Sequence, residues 1–246
     1  MKYYVYSPLG RTGSIRVLHY INSRDRALAI SKSFHSHHDE KYGAHVFRIK
    51  KSQSEIVEKE EKLDYTVVDN VKHWIFPKEL SDLVPDSVAM HSHTCMWAKD
   101  NDWTHILTTR KDKTELAMSL MIADRSGDWL AIPNDKKSDI KPFKLDTRHY
   151  LFCLKLCEGR EQAFLKGVKK DTGKDPIIIY LEDTRKEIEE KLGMKIAEKS
   201  FMEREKHISS RRPKDYILNY DELKEVYDDF IENKEYYMSI PFKDLY

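Results

Sequence analysis

The densest group of potentially reactive side chains lies in one short segment of the sequence. His91, His93 and Cys95 alternate with other residues, and Asp100 follows shortly after them. Imidazole and thiolate are preferred ligands of zinc, and three protein ligands with an open fourth position form a catalytic zinc site. If the segment is a strand, the three side chains share one face, since side chains alternate along a strand. We therefore predict a site for zinc or another divalent metal, with Asp100 as a further ligand.

Two nearby residues are candidates for acid–base catalysis at such a centre. Asp102 and His105 follow the predicted ligands, and carboxylate and imidazole groups are common proton carriers in active sites. A bound metal would lower the pKa of a coordinated water towards neutrality and so provide a nucleophile. The alternative is a polar strand face with hydrogen-bonded histidines and a cysteine in the core. A helical segment would spread the same side chains over several faces and leave no site.

A cluster of basic residues late in the chain predicts contacts with phosphate. Its members are Arg204, Arg211, Arg212 and Lys214. Because Pro213 indicates a loop, the two neighbouring guanidinium groups are predicted to grip the phosphate of a nucleic acid or a nucleotide. The alternative is a solvated helix end, since a run of charge alone is weak evidence for a site.

Two further groups have the spacing of a site but are better explained by structure. His149, Cys153 and Cys157 fall on one stripe of a predicted helix, where core packing is favoured because cysteine is among the most buried residue types. Carboxylates bracket the apolar run 176–181, as in Mg²⁺ sites, but acidic residues also complement the dipole at the start of a helix. These carboxylates are Asp175, Glu182 and Asp183.

One resemblance in the N-terminal region implies nucleotide chemistry. The order of a strand, Arg11, Ser23, a helix and a strand resembles that of ADP-ribosyltransferases. The resemblance implies a late catalytic glutamate, for which Glu79 is the candidate.

The elements that must position these residues are predicted from hydrophobic periodicity and turn residues. The predicted strands are 2–7, 14–21, 42–50, 65–68, 71–76, 129–132 and 176–181. The predicted helices are 23–34, 53–63, 77–83, 113–123, 146–157, 160–168, 184–192, 195–209 and 220–236. The segment 88–97 is compatible with either state. This order predicts an α+β protein with a mixed sheet and several charged surface helices. We predict two domains, residues 1–85 and 86–246, with one continuous domain as the alternative.

Composition restricts the class of protein. Lys and Arg number 43 and Asp and Glu 42, so the overall charge predicts no nucleic-acid or membrane partner, and phosphate binding needs a local patch. No apolar run is long enough to cross a bilayer, and three cysteines fit a reducing compartment. We expect a soluble cytoplasmic protein whose residue usage is typical of an AT-rich genome, such as that of a phage. The absence of Walker, Rossmann and Gly-X-Ser-X-Gly motifs disfavours nucleotide kinases, dinucleotide oxidoreductases and serine hydrolases.

Two functional hypotheses follow from these residues. The first is an enzyme that acts on nucleic acid or nucleotides, such as a metal-dependent hydrolase or nuclease. The second is a non-catalytic accessory or inhibitor protein that binds a protein partner through charged helices and exposed aromatic side chains, which often anchor interfaces.

Overall fold

The structure, a computed structural model, divides into two compact units that are each built from two stretches of chain. The first comprises Met1–Thr109 and Ala163–Met202, and the second comprises Arg110–Gln162 and Glu203–Tyr246. The structure describes residues 2–22, 27–32, 46–52, 55–59, 65–68, 71–74, 87–92, 97, 102–127, 139–196 and 212–245. The boundary predicted between residues 85 and 86 lies outside these ranges.

The first unit is organised around a mixed sheet. The strands of the described residues are β1 (Lys2–Tyr6), β2 (Ala27–Lys32), β3 (Val46–Ser52), β4 (Glu55–Lys59), β5 (Tyr65–Val68), β6 (Val71–Trp74), β7 (Ser87–Ser92), β8 (Trp103–Thr109) and β9 (Ile177–Tyr180). Seven of them form one sheet in the order β4-β3-β2-β7-β1-β8-β9, and β5 pairs with β6. Neighbouring strands from β2 to β9 run parallel, while β3 and β4 form an antiparallel edge. The predicted α+β fold with a mixed sheet is therefore confirmed.

Helices cover both faces of the parallel part of this sheet. The helices of the described residues are α1 (Ser14–Asn22), α2 (Lys113–Ser126), α3 (Thr147–Thr172), α4 (Arg185–Leu192), α5 (Tyr220–Glu232) and α6 (Lys234–Ser239). On one face, Tyr3 and Val5 share a core with side chains of α1 and α4. Successive strand residues point to opposite faces, so Tyr4 and Tyr6 instead stack on Phe164 of α3. Among the described residues, no helix is both long enough and apolar enough to cross a membrane.

The second unit has its own core, formed by α2, the N-terminal part of α3 and α5. Met118, Tyr150, Leu223 and Phe230 are almost completely buried within it. A nearly buried ion pair joins α2 to α3, with 2.5 Å between Lys113 Nζ and Glu161 Oε1. Each unit is therefore stabilised by its own set of buried apolar side chains.

Two adjacent predictions near the N-terminus are wrong because a helix and a strand are exchanged. Residues 14–21, predicted as a strand, lie in α1, and β2 lies within the predicted helix 23–34. The buried residues Val17, Tyr20 and Ile21 have the spacing of one helical face. Strand β2 lies between β3 and β7, so pairing on both sides overrides the local preference of its sequence.

The predicted charged helix 53–63 is also wrong. Glu55–Lys59 forms β4, which is antiparallel to β3. Two residues separate the two strands in the sequence, and this is the length of a tight β-hairpin connection. Pairing with β3 therefore decides the conformation of a segment whose charges alone resemble those of a surface helix.

The break predicted at Gly159 does not occur, since α3 runs from Thr147 to Thr172. A glycine inside a helix costs only about 1 kcal/mol relative to alanine. A Cβ at this position would lie 3.7 Å from Met238 Cε, an ordinary van der Waals distance, so packing does not require the glycine. One long helix therefore replaces the two predicted helices.

The apolar strand and the helix that follows it are confirmed as β9 and α4. A capping box between Thr184 and Glu187 begins the helix, and Gly193 ends it with φ 61°. The predicted burial of the strand on both faces is wrong, because only Ile179 is fully buried. The reason is that, among the described strands, β9 pairs with β8 alone and lies at an edge of the sheet.

Candidate functional site

The carboxyl ends of β1 and β8 lie side by side, and the connections that leave these two strands run towards opposite sides of the sheet. From β1 the chain continues through α1 to β2 on one side, whereas from β8 it continues to β9 on the other. The two connections use opposite faces, since α1 packs with Val5 and α3 packs on Tyr6. In open sheets of this kind, ligands bind outside the carboxyl ends of the strands at such a switch point. This edge is therefore the candidate site.

The loop of residues 7–13 joins β1 to α1 at this edge. Three of its residues have positive φ, with Gly10 at 79°, Arg11 at 56° and Gly13 at 79°. Non-glycine residues rarely adopt this conformation, so the surrounding structure must hold Arg11 there. Left-handed residues within turns bring backbone N–H groups together into concave anion-binding nests.

Three buried hydroxyls form a chain of hydrogen bonds that ties this loop to β8. Thr108 donates to the carbonyl of Tyr6 at 3.1 Å. Because each hydroxyl has one proton, Thr12 donates to Thr108 at 2.8 Å and Ser7 donates to Thr12 at 2.7 Å. The Gly10 N–H donates to Ser7 Oγ at 3.1 Å and begins the chain. The hydroxyls therefore fix the shape of the loop.

The first turn of α1 brings backbone amides to the same loop. The first bond of the helix runs from the Val17 N–H to the Gly13 carbonyl at 3.1 Å, so the amides of Ser14, Ile15 and Arg16 have no acceptor within the helix. The helix dipole places partial positive charge at this end, and the first turn contains no acidic residue. These are the features by which helix N-termini bind phosphate.

The turn after β9 packs closely against the loop. A Cβ built on Gly13 would lie 2.8 Å from Leu181 Cδ1. The buried carboxylate of Asp183 fixes the turn, because it accepts from the Tyr180 N–H at 2.8 Å and from Lys191 Nζ at 2.6 Å. A side chain at position 13 would therefore strain the backbone and require the side chain of Leu181 to move.

The predicted metal ligand His91 lies at the same edge of the sheet. In the parallel register of β1 and β7, Val5 pairs with His91 and Tyr6 pairs with Ser92. This part of the ambiguous segment is thus a strand, as the metal hypothesis requires. Of the other residues of the predicted metal and ADP-ribosyltransferase sites, Arg11 lies in the loop of residues 7–13, and His93, Cys95, Asp100, Ser23 and Glu79 lie outside the described residues. Within the part of the chain that the structure describes, no group of three metal-binding side chains occurs.

The structure does not bring the two predicted acid–base residues to this edge. Asp102 precedes β8 at the opposite edge and forms an exposed ion pair with Lys2, with 2.6 Å between Oδ2 and Nζ. His105 is buried within β8, with its ring centroid 6.0 Å from that of Tyr4 and 6.4 Å from that of Phe164. Their catalytic roles stay predictions.

Two members of the predicted basic cluster lie among the described residues. Arg212 donates to both carboxylate oxygens of Asp215, from Nε at 3.0 Å and from Nη2 at 3.3 Å. Lys214 is exposed on the 3-10 turn Pro213–Asp215. Arg204 and Arg211 lie outside the described residues, so the phosphate-binding role of the cluster stays a prediction.

Cys153 and Cys157 are buried, as the core interpretation predicts. Desolvation, assisted by the charge of Asp124, raises the pKa of the Cys153 thiol to about 11. Cys157 donates to Glu161 Oε1 at 3.3 Å, and burial followed by the charge of that carboxylate also raises its pKa. Both thiols are therefore protonated at neutral pH, and the protonated form is a poor nucleophile and metal ligand.

Replacing Thr108 with valine is expected to destabilise the protein through the loop. The variant removes the acceptor of the Thr12 hydroxyl, and a buried polar group without a partner costs about 1–3 kcal/mol. Urea denaturation should show a loss of this size in the free energy of unfolding. Thr108→Ser keeps the hydroxyl and is the control, so equal stability of the two variants would contradict the proposed chain of hydrogen bonds.

The sequence contains a signal for this site that the predictions miss. Gly13-Ser14 precedes apolar residues at 17, 20 and 21, a pattern that indicates the start of a helix. A strand, a glycine-containing loop and a helix N-terminus together indicate an anion site. The prediction of a strand at residues 14–21 hides this signal, because it leaves residues 8–13 as a simple turn between two strands.

Comparison with protein-family models, with curated proteins and with solved structures finds no match for this chain.

Proposed function

We propose that this protein is an enzyme that binds a nucleotide, or a related phosphate ester, at the loop between β1 and α1, and that it transfers or hydrolyses a group of that ligand. The observation that carries the proposal is a loop with three positive-φ residues, followed by the first turn of α1, at the switch point of a parallel sheet. Backbone nests, helix N-termini and switch points are each recurrent phosphate-binding features, and here they coincide.

The loop departs from the motif that holds the phosphates of nucleoside triphosphates. That motif ends in Gly-Lys-Ser/Thr, where the lysine reaches the β- and γ-phosphates and the hydroxyl binds Mg²⁺. Here Gly13 is followed directly by Ser14, and Arg11 is the basic residue of the loop. We therefore expect the loop to anchor one phosphate group, while other residues determine which group reacts.

The carboxyl end of β7 provides the second part of the proposed site. His91 neighbours β1 in the sheet, and an imidazole near bound phosphate can act as a general base or hold a metal that activates water. We propose this role for His91 together with His93, Cys95 and Asp100. Metal analysis tests the metal-dependent form: a near-stoichiometric metal that is lost in the His91→Ala/His93→Ala variant supports it, and metal-free protein opposes it.

Nucleotide binding is tested with ligands that share phosphate groups but differ in the group they can transfer. Calorimetric titration of the full chain should compare ligands for three kinds of transfer: ATP and GTP carry a phosphoryl group, NAD an ADP-ribosyl group and adenosine phosphosulfate a sulfuryl group. AMP and pyrophosphate serve as unreactive references. We expect at least one ligand to bind with a dissociation constant of about 1–100 μM, which corresponds to a binding free energy of about −8 to −5 kcal/mol. The absence of binding by every ligand at millimolar concentration would contradict the proposal.

The identity of the preferred ligand then separates the forms of this proposal. Preference for NAD would support the ADP-ribosyltransferase resemblance. Binding of short DNA or RNA that weakens as salt increases would instead support a nuclease that uses the predicted basic cluster, because phosphate contacts release counterions.

A non-catalytic protein-binding role is the second candidate, favoured by apolar side chains exposed on the second unit. Tyr236 is 65% exposed, Leu218 64%, Ile231 46% and Phe242 41%. Aromatic side chains are frequent anchors of protein interfaces. A partner that binds equally well with and without nucleotide, and is lost in Tyr236→Ser, would favour this candidate.

A further inference from the structure

The ammonium group of Lys155, on α3, is buried and has no carboxylate partner among the described residues. Lys155 is only 5% exposed, and lysine is almost never buried unless it is paired. Its Nζ donates to the backbone carbonyls of Tyr237, at 3.1 Å, and of Ile240. It also lies 4.9 Å from the ring centroid of Phe242. The partners of this buried charge therefore come from the C-terminal segment of the same chain.

That segment is ordered although none of its described side chains is buried. We name residues 234–245 the strap; they comprise α6 and the 3-10 turn that follows it. Tyr237 attaches the strap to α5, because its hydroxyl donates to Asp229 and its ring centroid lies 5.6 Å from that of Phe230. Segments with few buried contacts open locally while the rest of the protein stays folded. We therefore expect the strap to open without unfolding of the second unit.

The strap lies on one stripe of α3, formed by Phe152, Lys155 and Gly159, since residues three and four apart are neighbours on a helix. At one end, the ring of Phe242 meets that of Phe152 edge-on, with 5.2 Å between centroids. At the other end, Met238 Cε lies 3.7 Å from the position of a Cβ added to Gly159. Between them, the ammonium group binds carbonyls at the C-terminal end of α6, where a helix favours a cation.

We infer that this stripe of α3 is a docking groove for the C-terminal end of a helix that is followed by an aromatic side chain, and that the strap occupies it as an autoinhibitory contact. The ammonium group recognises main-chain carbonyls, which every helix end offers, and the ring of Phe152 recognises the aromatic side chain. A helix end from another chain binds only when the strap is open, so its apparent affinity is reduced by the open fraction. The inference does not depend on the proposed nucleotide site.

The inference is tested with a fluorescent synthetic peptide of residues 233–246, titrated into the full chain. Phe242→Ser in the protein weakens the strap but not the peptide, so it should raise the affinity for the peptide at least about fivefold, the worth of one ring contact and one cation–π contact. The same change in the peptide should instead lower its affinity for the natural protein. Leu218→Ser is the control, because Leu218 is an apolar side chain of the same unit, 64% exposed and outside the strap, and it should leave the affinity unchanged.

Hydrogen exchange of the full chain tests the role of Lys155. Lys155→Met keeps the apolar stem but removes the ammonium group, so the strap amides should exchange at least about tenfold faster, as loss of hydrogen bonds to a charged group implies. Amides of α5 should be unaffected, and Lys166→Met, at an exposed position of α3, should change neither. If Lys155→Met does not fold, Lys155→Gln replaces it.

Three results would overturn the inference. The first is no binding of the peptide to the Phe242→Ser variant at millimolar concentration. The second is an equal peptide affinity of that variant and the natural protein. The third is exchange in Lys155→Met that accelerates equally in the strap and in α5, because Lys155 would then support the whole unit rather than the strap. None of these results bears on nucleotide binding, so the two proposals fail separately.

Discussion

Replacing Gly13 with alanine is expected to weaken nucleotide binding at least about tenfold and to lower the free energy of unfolding by about 2–4 kcal/mol. The φ of 79° disfavours any side chain, and the new Cβ would lie 2.8 Å from Leu181 Cδ1. Leu181 can relieve the contact by rotation of its side chain, but the backbone strain at φ 79° is relieved only if the loop moves, which displaces the amides at the start of α1. Calorimetric titration with the preferred nucleotide measures the first effect, and urea denaturation measures the second.

Gly173→Ala is the matched control for this variant. Gly173 has a similar φ of 70°, but a Cβ added to it would meet no atom within 4 Å, and it lies just after the end of α3 rather than in the loop. We expect a loss of about 1–2 kcal/mol from backbone strain alone and unchanged nucleotide affinity. If both variants bind nucleotide like the natural protein, the loop is not the phosphate site.

Phe164→Ala is expected to lower the free energy of unfolding by about 3–5 kcal/mol. Phe164 is completely buried. Its ring stacks on Tyr6 with 4.5 Å between centroids and lies 6.4 Å from that of Tyr4. Tyr6 is the last residue of β1, so the cavity opens directly below the loop that begins at Ser7. Chemical denaturation should show the loss of stability, and nucleotide affinity should fall with it.

Two variants separate this packing effect from general damage to α3. Phe164→Leu keeps most of the apolar volume and should cost less than about 1.5 kcal/mol. Leu165→Ala removes the neighbouring, half-buried side chain of the same helix and should cost less than Phe164→Ala. Equal losses in Phe164→Ala and Leu165→Ala would show that Phe164 does not support the sheet in the way described.

Local signals in the sequence are sufficient where an element begins and ends with a chemical cap. Helix α4 is predicted correctly because Thr184, Glu187 and Gly193 mark both of its ends. Helix α2 is similarly marked by Asp112, which accepts from the Glu115 N–H, and by Gly127. Such caps act within one turn of the chain, so they can be recognised without knowledge of the fold.

The sequence is insufficient where pairing between distant segments decides the structure. β2 and β4 contain residues that suit a helix, and only their partners in the sheet make them strands. The error at α1 has the largest consequence, because it leaves the loop of residues 7–13, which we propose as the anion-binding loop, as a simple connection between two predicted strands. Thr108 could not be assigned to the site either, since its contact with Thr12 depends on the parallel register of β1 and β8.

The most direct test of the proposed function is a crystal structure of the full chain with the nucleotide that binds most tightly. We predict a phosphate oxygen within about 3 Å, the usual hydrogen-bond distance, of the backbone nitrogen of Ser14, Ile15 or Arg16. A nucleotide whose phosphates bind elsewhere, with the loop of residues 7–13 making no contact to them, would contradict the central claim.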